Sequence, residues 1–363
     1  MTKRIAFIGA GAIGGYVGGH LARNGHDVTL IDPWPAHIEA IRANGLEIAG
    51  VTADERCIAR PNTMHLTQAQ SLSRQKPIDI AFVSVKSYDT EWATTLIASY
   101  LAADGFVVSL QNCINEERIA GIVGWGKTLG CIAARLAAEL YEPGRIRRTS
   151  RKGGDMHGNS VFYVGEVHGR PTRRARELAD MLGAIDTVTL TTNLWGERWS
   201  KLCVNAMRNG ASAATGLSGI ARDRHDAIRR FCIRLGGEAV RIGQGLGYQL
   251  GHIGSLDPDR LARAAEGDQA ALEEVEALII AGTNDGKSEL QRPSMGQDML
   301  KGRRTEIDYI NGFVVEKGQE IGRAAAANAF LTDLVRRVER GEIPARPENL
   351  TGPEASAGSP IAA

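Results

Sequence analysis

The sequence predicts an α/β protein: an N-terminal domain that alternates short buried strands with helices, then an all-helical C-terminal domain. Three observations carry this. Up to about residue 190, runs of roughly four to eight apolar residues alternate with stretches of helical period. A glycine-rich turn follows the first apolar run at once, at 9–14. Beyond residue 193 the strand-like runs stop and helical periodicity takes over. Alternation of this kind implies right-handed βαβ units and a parallel sheet.

Behind Arg4, residues Ile5, Ala6, Phe7 and Ile8 form an apolar run stopped by glycine, as expected of a strand buried on both faces. A helical stretch then runs to about Asn24, with Gly25 as its C-cap. A second strand covers 27–32 and is ended by Pro33 and Pro35. Residues 36–44 read as a helix that stops at Asn44 and Gly45, and 46–48 as a small strand. Residues 78–85 are another buried strand with Lys86 at its C-terminal end. A helix over 90–100 and a strand over 106–110 follow, and 128–165 is strand-like, most clearly at 161–164. In the second half, 194–207, 226–246, 257–266, 269–281 and 304–340 read as helices. The expected domains are 1–192 and 193–343. The remainder, 344–363, is rich in Pro, Gly, Ala and Ser and is expected to be a flexible tail.

Composition excludes several classes. Lys plus Arg number 43 and Asp plus Glu 42, a formal charge of +1, which argues against a nucleic-acid binder that must neutralise phosphates. No apolar run reaches the roughly 18 residues needed to span a bilayer. The N-terminus leads straight into a strand and lacks the features of a signal peptide. The five cysteines are scattered and form no CxxC, which argues against a disulfide framework or a zinc cluster and for a reducing cytoplasm. The eight histidines form no HxxxH or HExxH, so no metal is expected.

Gly9, Gly11 and Gly14 match GxGxxG. The motif alone is weak, but here it follows a strand and opens a helix, the context it requires. Gly9 permits the tight turn, Gly11 lets a pyrophosphate approach the backbone, and Gly14 lets the helix pack on the strand. The helix N-terminus adds a favourable dipole for an anion. Asp32 ends the second strand, where a carboxylate meets a ribose hydroxyl. Together these predict a Rossmann-type dinucleotide-binding domain. A rival match, GxxxxGKT over 121–128, satisfies the P-loop pattern. A true P-loop follows a strand, whereas 116–120 reads as helix, so this is expected to be a helix-to-strand turn.

In the first helix of the second half, Lys201, Asn205 and Asn209 are spaced by four and share one face. A cation and two amides in one stripe suit an anionic oxo acid; an exposed polar face is the alternative reading. Further on come Arg292-Pro293-Ser294-Met295-Gly296-Gln297-Asp298 and Gly302-Arg303-Arg304-Thr305-Glu306-Ile307-Asp308-Tyr309-Ile310-Asn311-Gly312. With the glycine loop, Lys86, Asn112 and the WxKLxxN stretch around Lys201, these segments resemble the ketopantoate reductase (2-dehydropantoate 2-reductase) family, whose marks they carry in order from Gly9 to Gly312. The resemblance covers the chain to about residue 340. It implies a Rossmann domain followed by an all-helical domain, with the active site between them.

By matching position, the resemblance implies that Lys201 is the catalytic lysine, protonating the carbonyl oxygen of a 2-oxo acid as hydride arrives. It implies that Glu306 holds the hydroxyl end of the substrate and helps position the lysine. Ser294 would bind the substrate carboxylate, Asn205 and Asn209 would line the substrate pocket, and Lys86 and Asn112 would face the cofactor. The chain departs from the family at Gly210, where a proline is common, and 210–290 offers little to match. The family commonly uses NADPH and places an arginine after the second strand. Here Asp32 is followed by no Arg or Lys before Arg42, which favours NAD over NADP. The expected reaction is hydride transfer between nicotinamide and a 2-oxo or 2-hydroxy acid, by default 2-dehydropantoate to pantoate. The alternatives are an NAD-dependent catabolic dehydrogenase of another hydroxy acid or alcohol, and a non-catalytic dinucleotide-binding sensor. A homodimer is expected only from the general symmetry of oligomers.

Overall fold

A computed structural model describes residues 3–153, 159–283 and 291–356 of the chain. It comprises two compact units, Met1–Leu194 and Trp195–Ala363.

The first unit begins β1 (Arg4–Ile8), α1 (Ala12–Arg23), β2 (Asp27–Asp32) and α2 (Pro35–Asn44). Next come β3 (Leu46–Ala49), β4 (Cys57–Ala59), β5 (Asn62–His65), β6 (Ile78–Val83), α3 (Thr90–Ala98) and β7 (Leu101–Ser109). The unit closes with α4 (Glu116–Val123), β8 (Thr128–Ala133), β9 (Ala138–Glu142), β10 (Arg145–Arg148), β11 (Phe162–Glu166), α5 (Arg173–Gly183) and β12 (Val188–Leu190). Eight strands form one sheet in the order β12-β11-β8-β7-β6-β1-β2-β5. Every pair in it is parallel except β8–β11. The chain moves outward from β1 in one direction through β2 and in the other through β6. The loops after β1 and β6 therefore meet at the point where strand order reverses, the usual ligand-binding edge of an open α/β sheet.

Both faces of the sheet are buried. Ile5, Phe7, Leu30, Phe82 and Val108 belong to one apolar cluster with Val17 and Leu21 of α1 and Leu178 and Leu182 of α5. The alternate residues Ala6, Ile8, Ile31, Ala81 and Val83 pack with Ala93 and Ile97 of α3 and Ile119 of α4. Phe7 and Phe82, paired across β1 and β6, stack with ring centroids 4.3 Å apart. A second sheet, β4-β3-β10-β9, was not expected from the sequence; its Ile48 and Ile146 join the α1 side of the core. Nor was α5, although Thr172 caps it by accepting from the Ala175 N–H. The P-loop-like stretch is a helix-to-strand turn: α4 ends at Val123, Gly124 takes φ +83°, and a 3-10 turn leads into β8.

The second unit contains α6 (Leu194–Thr215), α7 (Gly219–Arg224), α8 (Asp226–Gly245), α9 (Pro258–Ala265), α10 (Gln269–Ala281), α11 (Ser294–Leu300), α12 (Asn311–Glu320), α13 (Ala326–Glu339) and α14 (Pro353–Ser356). Among the described residues its only β feature is an isolated bridge, Ile253–Leu256. The single stretch expected over 304–340 is instead a 3-10 turn and two helices. The break falls at Gly322, with φ +67°, where the Arg323 N–H turns back to the Gly318 carbonyl at 2.8 Å. The segment expected as a flexible tail packs up to Ala355. Asn349 Nδ2 donates to the Ala214 carbonyl at 2.9 Å, Arg234 donates to the Ala355 carbonyl at 2.7 Å, and Leu350 is buried. Side-chain bonds to backbone supply there what composition does not display. Residues 357–363 lie outside the described residues.

Candidate active site

The glycine loop is built as its spacing requires. Gly9 takes φ +98°, and a Cβ there would lie 2.9 Å from the backbone of Ser84. A Cβ on Gly14 would lie 2.2 Å from the Gly9 carbonyl oxygen and 2.4 Å from Ser84 Oγ, so α1 can sit this close to the sheet only without one. Gly11 differs: nothing lies within 4 Å of a Cβ built there. It opens α1 as an N-cap without a side-chain cap, and the first turn carries no acidic residue. The first N–H groups of a helix have no intrahelical acceptor, so this end offers donors and a positive dipole beside open space. A dinucleotide pyrophosphate fits that combination.

Asp32 stands at the end of β2. Its carboxylate accepts from the Ala10 N–H at 2.8 Å and from the Trp34 N–H at 2.9 Å. The nearest following cation, Arg42, is engaged on the α2–β5 face. It donates to Glu39 at 2.7 Å, to Gln68 at 2.6 Å, and to the Thr63 hydroxyl and carbonyl, both at 3.2 Å.

Lys86 lies just past β6, at the N-cap of the short turn Ser87–Asp89, and is half-buried. Asn112 lies past the end of β7, also half-buried, and its carbonyl accepts from Asn115 Nδ2 at 3.0 Å. Gln111 Nε2 donates to the Val85 carbonyl and to Thr90 Oγ1, both at 2.9 Å, tying the ends of β6 and β7 together. Cys113 beside Asn112 has φ +67°, the one positive-φ non-glycine residue described. Sequence reading passed over Ser84, whose Oγ donates to the Gly9 carbonyl at 2.7 Å. A hydroxyl at the end of an apolar strand was the available signal.

In the helical unit, Asn205 and Asn209 are each 6% exposed, whereas Lys201, one turn earlier on the same face of α6, is half-buried. Asn209 Nδ2 donates to Ser294 Oγ at 3.3 Å, across 85 positions of sequence. Ser294 is the first residue of α11, and Gly296 lets α11 approach α6: a Cβ there would lie 2.8 Å from Ser212 Oγ. The Glu306 segment is anchored on α6 as well. Asn311 Nδ2 donates to the Ala206 carbonyl at 3.1 Å, and a Cβ on Gly210 would lie 3.0 Å from Ile307 Cδ1 and 2.8 Å from Leu331 Cδ2. Close packing against these neighbours accounts for glycine at 210. Glu306 is 3% exposed. Asn205 Nδ2 is buried and has no hydrogen-bond partner among the described residues. An unmet buried donor costs about 1–3 kcal/mol, so such an amide is suited to a ligand acceptor. Among the described residues no group of three or more His, Cys, Asp or Glu could hold a metal, and no helix is long and apolar enough to cross a membrane.

Comparison with known proteins identifies the family. The family model "Ketopantoate reductase PanE/ApbA" matches residues 5–159, and "Ketopantoate reductase PanE/ApbA C terminal" matches 193–339. The chain is 31% identical to the 2-dehydropantoate 2-reductase of Pyrococcus horikoshii over 93% of this chain and 97% of that one. It is 29% identical to the 2-dehydropantoate 2-reductase of Archaeoglobus fulgidus, over 94% and 99%. Among solved structures, a PanE/ApbA family ketopantoate reductase from Ralstonia eutropha superposes with TM-score 0.73 at 26% identity, covering 93% and 99% of the two chains. D-mandelate dehydrogenase, in a ternary structure with NADH and anilino(oxo)acetate, shares the fold with TM-score 0.76 at 24% identity, over 93% and 98%. With both units matched by its models and relatives aligned over almost the whole length, the chain belongs to the ketopantoate reductase family of NAD(P)-dependent oxidoreductases.

Proposed function

We infer that the protein transfers hydride between a nicotinamide dinucleotide and a 2-oxo or 2-hydroxy acid, with reduction of 2-dehydropantoate to pantoate as the reading its relatives' names favour. The observation that carries the substrate class is the unmet amide of Asn205, on the α6 face of Lys201 and one turn from the Asn209–Ser294 pair. In this reading Ser294 and Asn209 hold the substrate carboxylate and Asn205 donates to a substrate oxygen. Lys201 donates a proton from Nζ to the carbonyl oxygen as negative charge develops there. Glu306 takes the hydroxyl end of the substrate and helps orient the lysine. Gly9, Gly11 and Gly14 shape the pyrophosphate seat, and Lys86 and Asn112 line the cofactor side. The bound dinucleotide supplies the hydride; the protein supplies position, charge and a proton.

NAD is the favoured cofactor. Asp32 would repel a 2′-phosphate, and Arg42 is already held by Glu39, Thr63 and Gln68. That preference also supports a second reading, oxidation of a 2-hydroxy acid. A cytoplasmic site of action suits the five free cysteines, and a homodimer is the assembly we favour on symmetry grounds.

The test is a panel of 2-oxo acids with NADH and NADPH, and of 2-hydroxy acids with NAD and NADP, compared by kcat/KM. Turnover of ketopantoate with NADH above NADPH is expected, with Asp32→Ala shifting the ratio toward the phosphorylated cofactor. Preference for NADPH in the parent overturns the cofactor assignment. Turnover confined to hydroxy-acid oxidation replaces the first reading by the second.

A further inference from the structure

His37, on α2, lies outside every motif that marks the family, yet it is fully buried against the glycine loop. Its Nδ1 accepts from the Gly144 N–H at 2.9 Å, so the ring proton is on Nε2. Nε2 then donates to the Ala10 carbonyl, also at 2.9 Å. Ala10 is thus held on both sides, its N–H by Asp32 at 2.8 Å and its carbonyl by His37. Gly144 lies in the turn between β9 and β10 with φ +72°, and its carbonyl accepts from the Glu47 N–H at 2.9 Å. The histidine therefore braces the loop after β1 against the second sheet. The Trp34 ring stacks on it with centroids 5.7 Å apart and planes within 20°. Burial holds the imidazole below its ordinary pKa, against the Ala10 bond and the Asp32 charge, both of which favour protonation.

The planarity of the peptide bond makes this contact consequential. The Ala10 carbonyl and the Gly11 N–H belong to one trans peptide and point in opposite directions. Fixing the carbonyl toward His37 fixes the Gly11 N–H toward the opposite side. That N–H heads the set of donors at the open end of α1. An oxygen ligand gains most from a donor that is already aimed, because no ordering remains to be done on binding.

We propose that His37 is a positioning residue for dinucleotide binding: through the Ala10 carbonyl it orients the Gly11 N–H toward the pyrophosphate. The proposal rests on the glycine loop being the dinucleotide seat. Two substitutions dissect the two bonds. A glutamine carboxamide reaches the place of Nε2 and keeps the bond to Ala10; an asparagine carboxamide reaches only the place of Nδ1 and keeps the bond to Gly144. NADH binding to the full-length protein is measured by nicotinamide fluorescence, with kcat at saturating NADH measured alongside. His37→Asn is expected to weaken NADH binding about 3- to 10-fold, the range of one hydrogen bond. His37→Gln is expected to stay within about twofold of the parent, and kcat at saturation to change little in either. Should His37→Asn fail to fold, His37→Phe, which also lacks the donor, takes its place. Equal NADH affinity in the donor-lacking variant and His37→Gln overturns the role of His37, as does an equal fall in kcat at saturation in both. A parent protein that binds no dinucleotide overturns the dinucleotide reading itself, and this inference with it.

Discussion

Alanine at Gly11 and alanine at Gly14 should have opposite consequences, although the two positions are one helical turn apart. At Gly14 the new Cβ would stand 2.2 Å from the Gly9 carbonyl oxygen and 2.4 Å from Ser84 Oγ. Ser84 Oγ cannot rotate away without giving up its 2.7 Å bond to that same carbonyl. Helix α1 must therefore shift off the sheet, and overpacking of this kind costs about 1–3 kcal/mol. For a domain of this size each kcal/mol lowers Tm by about 2–4 °C, so Gly14→Ala should lose about 2–12 °C. At Gly11 the backbone is extended, φ −62° and ψ −166°, and no atom lies within 4 Å of the added methyl. Alanine is a poorer N-cap than glycine, but it restricts the unfolded chain, worth about 0.4–1 kcal/mol in the other direction. The two effects offset, and Gly11→Ala should melt within about 2 °C of the parent.

Its defect should appear only with ligand. At a concentration 100-fold above Kd, a dinucleotide stabilises the parent by about 2.7 kcal/mol, roughly 5–11 °C. The methyl of Gly11→Ala occupies the space over the helix end, and the shift should vanish. The assay is thermal unfolding of the three proteins with and without NADH. A Gly11→Ala protein that keeps the parental NADH shift would refute the assignment of that open space to the pyrophosphate.

Lys201→Ala should keep NADH binding and lose about 100- to 10,000-fold in kcat, the usual worth of a general acid; near-parental turnover in a folded variant would remove Lys201 from the reaction. Burial pushes the His20 imidazole down to about 4, helped by repulsion from Lys152, Arg23 and Arg148. The unfolded state takes up a proton near pH 6.5 that the folded state refuses, so stability should fall as pH drops from about 6.5 to 4, by up to about 1.4 kcal/mol per pH unit. Denaturant titrations across that window should show the slope, and His20→Gln should flatten it; an unchanged slope counts against His20. Arg148 and Asp186 form a 2.6 Å ion pair with side chains 0% and 2% exposed. Asp186→Ala strands a buried cation and should cost about 3–5 kcal/mol in a chemical denaturation curve, more than the double variant with Arg148→Met.

The same pair explains why part of the first unit was not legible. In β10 the inward positions are Ile146 and Arg148, and the outward ones Arg145 and Arg147. Three arginines among four residues give no apolar run, so within the strand-like stretch 128–165 nothing marks this strand or its inward face, and the pattern cannot reveal that Asp186 neutralises one of them. The central strands posed no such problem. In β1 and β6 both faces are apolar, and the run itself announces burial. The break at Gly322 was hidden for another reason: the residues on either side of it are good helix formers, and a single glycine is tolerated inside many helices. The glycine loop was legible because its glycines stand at fixed spacing after a strand, with Gly9 and Gly14 each answering a separate steric demand and Gly11 leaving the helix end open. The bond between Asn209 and Ser294 was not legible: nothing local says that residues 85 positions apart share a hydrogen bond, and the resemblance implied only that both serve the substrate.

Asp32 shows how one residue can satisfy a structural and a ligand-binding reading together. Its two oxygens accept from the Ala10 and Trp34 N–H groups. A carboxylate offers about four acceptor positions, so two remain for ribose hydroxyls after the loop is anchored. A 2′-phosphate placed there would meet like charge, while the next cation along the chain, Arg42, would have to leave Glu39, Thr63 and Gln68 to offset it. The structural role also shapes the experiment. Asp32→Ala removes the anchor of the Ala10 N–H, so affinity should fall for both cofactors, and an absolute loss with NADH would say nothing about specificity. The ratio isolates the charge, since the loosened loop weakens NADH and NADPH alike and repulsion is relieved only for the phosphorylated form. Asp32→Asn sharpens the comparison: it keeps an oxygen for one backbone N–H and removes the charge. If charge sets the preference, asparagine should shift the ratio nearly as far as alanine with less loss of NADH affinity.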